Sequence, residues 1–407
     1  MSGAVEVAQT TAELAARTRR FVRDVVVPAE PPAGSALDPA TRLDLQRRAR
    51  EAGVFAPHVP VELGGLGLPL ADWSPVFQEA GYSPIGPAVL NCMAPDEGNM
   101  LLLERIATPE QRERYLAPLA AGDVRSCFAM TEPHPGAGSD PGALATLAHR
   151  IDGGWLLEGE KRFISGADEA AFAIVMARTP ELGDDAATML LVPMDAAGVE
   201  IGHAIRTLET AITGGHPHVR FSRVRVADED VLGTPGQAFR HAQARLGPAR
   251  LTHCMRWLGL ARRAQDTALD RVRTRELFGS PLGDLGIAQG LLADSEIDIA
   301  TSAAVVDWAA RTLTDDARAG ATASSVAKVH VSEAVGRVID RAVQLCGGDG
   351  VTLELPLLAF LNEVRPFRVY DGSSETHRWA IARRAVARRR AEVGAGEAVL
   401  DRAEGAR

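Results

Sequence analysis

The chain has 407 residues, with 44 Lys and Arg against 53 Asp and Glu and a formal net charge of −9. That balance gives no support to a nucleic-acid-binding role, which usually shows a basic patch or stripe. A content of 46% hydrophobic and 24% charged residues describes an ordinary soluble globular protein, long enough for two or three domains.

No apolar run approaches the roughly 18 residues of a membrane span, so no membrane insertion is expected. The first residues lack the basic-then-apolar order of a secretory signal. Cys92, Cys127, Cys254 and Cys346 are far apart and form no CxxC pair, as expected of free buried thiols in a reducing, cytoplasmic setting.

Residues 1–122 read as helical. Leu14, Val22 and Val25 to Val27 sit near helical spacing, and Leu43, Leu45 and Val54 continue the pattern. Pro28, Pro31 and Pro32 should break the first helix. Leu63-Gly-Gly-Leu-Gly67 is expected to be a simple turn, because neither G-x-G-x-x-G nor a P-loop lysine accompanies it. Over 123–235 the period changes to short runs at Trp155–Glu158, Phe172–Ala177, Thr188–Val192 and Val219–Val226, separated by Gly, Asp and Pro. These predict strands of an antiparallel β domain.

Long helices return over 236–395. Leu291–Ala310 is one, and Ser324–Leu345 carries Val331, Val335, Val338, Ala342 and Leu345 on one face until Gly347-Gly348 stop it. Short links between long helices predict a four-helix bundle. Residues 396–407 are expected to be a flexible tail. The fold class is therefore α+β: an N-terminal helical domain, a middle β domain and a C-terminal bundle.

Tyr370-Asp-Gly-Ser-Ser-Glu-Thr-His-Arg-Trp379 is the most informative stretch. Asp-Gly is a leading turn dipeptide and Asp caps helices, so the residues alone leave a turn or a cap open for Asp371. The stretch resembles the C-terminal motif of flavin-dependent acyl-CoA dehydrogenases, in which a carboxylate between tyrosine and glycine removes the α-proton of an acyl-CoA. Most members carry glutamate there.

Three further blocks carry the same resemblance: Phe128-Ala-Met-Thr-Glu-Pro-His-Pro-Gly-Ala-Gly-Ser-Asp140, Arg273-Thr-Arg-Glu-Leu-Phe-Gly279 and Gln344-Leu-Cys-Gly-Gly-Asp-Gly350. Gly159–Gly166 is similar to the family strand that follows the first of these. Asn91-Cys92, Ala94-Pro-Asp96 and Arg245–Arg256 are closer to the branch that includes the animal kinase-fused acyl-CoA dehydrogenases, which also use aspartate before the glycine. Some members place the base on another helix, about ten residues before a Gly-Leu pair; here that site is Ala249, which leaves Asp371 as the candidate.

The resemblance implies FAD as cofactor. Phe128, Met130 and Thr131 would lie along the flavin, with Phe163 and Ser165 at its N5 side. Gly138 and Ser139 would offer backbone N–H groups as an anion nest, with Ser139 also near the substrate. Arg275, Phe278, Gln289, Gln344, Gly347 and Gly348 would reach the adenine and pyrophosphate of a neighbouring subunit's FAD, making the protein a homo-oligomer, dimer or tetramer. Ser373 and Glu375 would hold the adenosine side. Arg250 would meet CoA, and Tyr370, Asp371 and Gly372 would line the substrate.

The activity implied is α,β-dehydrogenation of an acyl-CoA substrate to a trans-2-enoyl-CoA, with electron-transfer flavoprotein as acceptor. The alternative is a flavin oxidase of the same fold, nitroalkane-oxidase-like or acyl-CoA-oxidase-like.

Overall fold

The computed structural model describes residues 2–211 and 215–404, with side chains over 11–211 and 215–393. The N-terminal part is helical: α1 Ser2–Phe21, α2 Pro39–Glu51, α3 Trp73–Ala80, α4 Gly86–Val89, α5 Asp96–Ile106, α6 Pro109–Gln111 and α7 Ala117–Ala120. The chain leaves α1 through a π turn and a 3-10 turn that ends at Ala29, where the Pro28 ring removes the donor a helix would need. Leu63–Gly67 is a turn, with Gly64 and Gly67 at φ of 83° and 65°.

The strands are β1 Arg125–Ala129, β2 Leu147–Ile151, β3 Gly154–Lys161, β4 Ala170–Arg178, β5 Ala187–Pro193, β6 Val199–Ala204, β7 Pro217–Ala227, β8 Val231–Leu232 and a small hairpin of β9 Glu276–Leu277 with β10 Ser280–Pro281. The main sheet runs β6-β7-β3-β2-β4-β5-β8, with β1 added against β4. It is mixed and not purely antiparallel: β1 and β2 both pair parallel to β4. That corrects the antiparallel expectation, because a crossover pairing leaves no turn signature in the sequence.

β4 and β5 are buried on both faces, so they read as continuous apolar runs. Phe172, Ile174, Met176, Met189 and Leu191 face the helices, and Ala173, Val175, Leu190 and Val192 face a second core with Trp155, Leu157, Val219 and Phe221. Tyr115 packs its ring 4.9 Å from Phe172 and so ties the N-terminal helices to the sheet.

The C-terminal helices are α8 Ala238–Thr274, α9 Gly286–Asp315, α10 Ala317–Cys346, α11 Leu357–Val364 and α12 Ser374–Glu404. Three of the long ones, α8, α9 and α10, pack on one another, and α12 lies on α10. Helical backbone reaches Glu404, beyond the point at which the sequence expects the chain to fray; residues 405–407 of that expected tail lie outside the described residues. Among the described residues no helix is long and apolar enough to cross a membrane.

Candidate active site

The three parts of the chain meet at the start of α5. Asp96 accepts hydrogen bonds from Ser126 N at 2.8 Å and Ser126 Oγ at 2.7 Å on β1, and pairs with Arg125. Asn99 donates to Ser126 Oγ at 2.9 Å and accepts from Arg245 Nε at 2.8 Å on α8. Glu97 accepts from Thr252 Oγ1 at 2.7 Å. Arg245 also stacks its guanidinium 4.2 Å from the Phe128 ring centre. β1 and α8 are thus locked side by side.

Asp371 lies above this junction. Its φ of 53° is left-handed, a conformation costly for a non-glycine residue that persists only when its surroundings hold it. The surroundings do so. The Asp371 carbonyl oxygen accepts from Arg250 Nε at 3.2 Å and faces His377 Nε2 at 3.0 Å, while the Gly372 carbonyl oxygen accepts from Lys328 Nζ at 2.6 Å. Ser373 Oγ takes the capping bond from Thr376 N at 3.2 Å, so Asp371 is not the cap of α12.

The Asp371 side chain takes no part in that cap. Its Oδ2 is buried and lies 3.2 Å from His253 Nε2. Burial opposes its charge, but His253, then Arg245 and Arg250, outweigh burial and hold the carboxyl well below the usual carboxylate range. Burial brings the Lys328 ammonium down to about 8, against the pull of Asp371. Burial and Arg256 hold His253 down to about 4, so the ring is neutral and presents its Nε2–H to the carboxylate. His253 packs against Tyr370, ring centres 4.9 Å apart, and the Tyr370 hydroxyl accepts from Trp257 Nε1 at 2.6 Å. Ala249 is buried on α8 and carries no carboxylate.

A second group sits at the ends of β1 and β3. Buried Lys161 donates to Glu132 at 2.8 Å, to the Met176 carbonyl at 2.7 Å and to the Met130 carbonyl at 3.2 Å. Glu132 also accepts from the backbone N–H groups of Ala137, Ala145 and Thr146 at 3.0, 2.6 and 2.9 Å, so the 132–146 loop folds around one carboxylate. Burial pushes the Glu132 carboxyl up, and Lys161, Thr146 and Ala145 more than reverse this, leaving it at about 2. Arg162 N donates to the Thr131 carbonyl at 2.8 Å, which brings Met130 and Thr131 beside Phe163 and Ser165.

This second group suits a flat aromatic cofactor. Phe163 is 46% exposed at a φ of 57°, an apolar ring held outward on strained backbone. Ser139 is exposed, and a Cβ added at Gly138 would meet nothing within 4 Å, so the loop's backbone is open to a ligand.

A third group faces away from the chain's own core. Phe278, at the β9–β10 turn, is 96% exposed at a φ of 53°. Arg275, Gln289, Gln344, Gly347 and Gly348 are also exposed, and an Arg271–Asp349 ion pair of 2.7 Å ties the end of α8 to the turn after α10. Glu375 is exposed on the first turn of α12. The structure therefore gathers Arg250, Tyr370, Asp371 and Gly372, and separately Met130, Thr131, Phe163 and Ser165; the third group is exposed.

His253, Lys328 and His377 were not expected at the site. His253 and His377 lie inside motif stretches whose spacing says nothing of what they face, and Lys328 sits in an ordinary amphipathic helix.

The sequence matches the acyl-CoA dehydrogenase N-terminal domain over residues 8–123, the middle domain over 127–224 and the C-terminal domain over 236–386. The chain belongs to the acyl-CoA dehydrogenase family. It is 35% identical to FadE2 of Mycobacterium tuberculosis over 86% of this chain and 87% of the relative. It is also 35% identical to acyl-CoA dehydrogenase family member 10 of Mus musculus over 84% of this chain, but spans only 33% of that longer protein.

Among solved structures, one from Mycobacterium abscessus superposes with a TM-score of 0.86 at 34% identity, covering 93% of this chain and 98% of the other. A glutaryl-CoA dehydrogenase from Mycobacterium smegmatis in complex with FADH2 superposes with a TM-score of 0.81 at 25% identity, covering 93% and 94%.

Proposed function

We propose that the chain is a FAD-dependent acyl-CoA dehydrogenase that converts an acyl-CoA thioester to its trans-2-enoyl-CoA, with Asp371 as the base. The observation that carries this reading is the Asp371 carboxylate, set on left-handed backbone, ringed by Arg245, Arg250 and Lys328, and 3.2 Å from His253.

A proton next to a thioester is weakly acidic, so its removal needs a positioned carboxylate and stabilisation of the enolate that develops. Asp371 stays ionised at any working pH because its carboxyl is held low. That makes it a weak base, and positioning must supply what basicity does not. His253 and the bonds to its own carbonyl do this positioning, and the Asp371 N–H is the donor for the thioester oxygen. Tyr370, fixed by Trp257, walls the acyl chain, and the remaining guanidinium donors of Arg250 suit the polar parts of CoA.

Bound FAD supplies the two-electron acceptor for the β-hydride at N5. Phe128, Met130 and Thr131 would lie along its flavin with Phe163 and Ser165, Gly138 and Ser139 would offer backbone N–H groups to an anion, and Ser373 and Glu375 would hold the adenosine side. Arg275, Phe278, Gln289, Gln344, Gly347 and Gly348 serve the FAD of a second copy, so the working unit is a dimer or tetramer. Electron-transfer flavoprotein is the acceptor.

The test is anaerobic titration of the FAD-loaded protein with short, medium, long and 4-hydroxy acyl-CoAs, followed by flavin absorbance. Bleaching by one class establishes the half-reaction and names the substrate class. A yellow protein that no acyl-CoA bleaches overturns the reading, and oxygen uptake without an acceptor protein would assign oxidase chemistry instead.

A further inference from the structure

Ser165 is not an isolated hydroxyl. Its Oγ lies 2.9 Å from His216 Nδ1, and His216 Nε2 lies 3.3 Å from Glu209 Oε1. His216 and Glu209 are buried, at 6% and 8% exposure. The second Glu209 oxygen, Oε2, is buried with no hydrogen-bond partner among the described residues. The segment is held in place from below: Glu363 on α11 accepts from Thr210 N at 2.6 Å, Thr210 Oγ1 at 2.9 Å and Ala211 N at 3.1 Å. One tautomer of His216, with the proton on Nε2, fits both of its contacts, because Ser165 then donates to Nδ1 and Nε2–H faces Glu209. A buried carboxylate oxygen left unpaired is costly, and protonation of the carboxylate removes part of that cost.

We propose that Ser165, His216 and Glu209 form a proton relay from the hydride-accepting edge of the flavin to a buried carboxylate. The proposal rests on the reading above that Ser165 stands at that edge. A hydride carries one proton and two electrons. When the two electrons leave singly for the acceptor flavoprotein, one proton must leave as well. Ser165 Oγ takes that proton and passes its own to His216 Nδ1, and the Nε2 proton of His216 moves to Glu209. Ser165 and His216 each gain one proton and lose one, so the net change is one proton delivered to Glu209. None of these three residues takes part in α-proton removal, which belongs to Asp371, so the relay serves the oxidative half of the cycle alone.

The test uses the full-length FAD-loaded protein with His216→Gln, which keeps a donor and an acceptor but cannot titrate, and with Glu209→Gln. FAD dissociation constants and the rate of acyl-CoA-driven bleaching are expected within a few-fold of the unaltered protein. Reoxidation of the reduced protein by a one-electron ferricenium acceptor is expected to slow by about 100-fold, the low end of what general acid–base catalysis contributes. It should gain a solvent isotope effect, and it should recover with added imidazole in His216→Gly.

A readout other than a rate is infrared difference spectroscopy during reoxidation. A transient carboxylic acid C=O band is expected in the unaltered protein and absent from Glu209→Gln. Normal reoxidation and an unchanged band in variants that still bleach overturn the relay alone. A uniform loss of FAD affinity and of both half-reactions also overturns it, since that marks a purely structural role. A protein that binds no FAD overturns the functional reading and the relay together.

Discussion

Three features coincide at Asp371: a left-handed backbone, a buried carboxylate oxygen beside a neutral histidine, and a shell of cations on two helices, α8 and α10. A residue that merely turned the chain would need the first but not the other two. Asp371→Asn keeps the shape and removes the base, so it should retain flavin absorbance while anaerobic reduction by acyl-CoA slows by about 10²–10⁴-fold; stopped-flow absorbance checks this, and near-normal reduction would remove Asp371 from the role.

His253 and His377 make a second prediction. Burial holds both down to about 4, whereas an unfolded chain protonates histidine near 6.5. The folded values are depressed, so below 6.5 the unfolded state binds more protons and stability falls as pH drops toward 4, by on the order of 1 kcal/mol per pH unit per histidine. Calorimetric Tm should fall between neutral pH and about pH 5, and fall less in His377→Gln. An equal fall in both proteins would mean that His377 is not buried neutral.

Among the elements, the loop after β1 is organised by a buried charge pair. Lys161→Met leaves the Glu132 carboxylate without its cation, and breaking such a pair costs about 3–5 kcal/mol. The midpoint of chemical denaturation should drop accordingly, and FAD affinity should drop with it, because Met130, Thr131 and Ser139 hang on that loop. The crossing of α3 and α8 depends on the lack of side chains at Gly81 and Gly259: a Cβ at Gly259 would stand 2.0 Å from the Gln78 carbonyl oxygen, and one at Gly81 would stand 2.1 Å from the Arg256 carbonyl oxygen. Gly259→Ala forces the helices apart and should cost at least about 1–3 kcal/mol. It would also shift Arg256 and Trp257, the supports of Tyr370, so flavin reduction should slow along with the loss of stability.

For the whole molecule, the proposed reading has a second copy cover Phe278, which is 96% exposed, together with Arg275, Gln289 and Gln344, which are exposed. Phe278→Asp should shift the assembly toward monomer and weaken FAD binding by about 2 kcal/mol or more, roughly 30-fold; light scattering and FAD content measured on the same sample check both. An unchanged assembly with full FAD content would confine the cofactor site to one chain.

The α–β–α order, the long bundle helices, the turn at Leu63–Gly67 and the candidacy of Asp371 were all legible in the chain, because each rests on local periodicity or on a motif written in consecutive residues. The partners of Asp371 were not. Arg245, Arg250 and His253 come from α8, Lys328 from α10 and His377 from α12, and no pattern within any one helix says which of its polar residues turns inward to a helix far away in sequence. The same limit hid the parallel pairing of β1 with β4 and the contact of Ser165 with His216 across 51 residues. Short-range chemistry sets which elements form and which residue carries the carboxylate. The charge, burial and reach of that carboxylate are sums over neighbours that only the packed chain brings within a few ångströms.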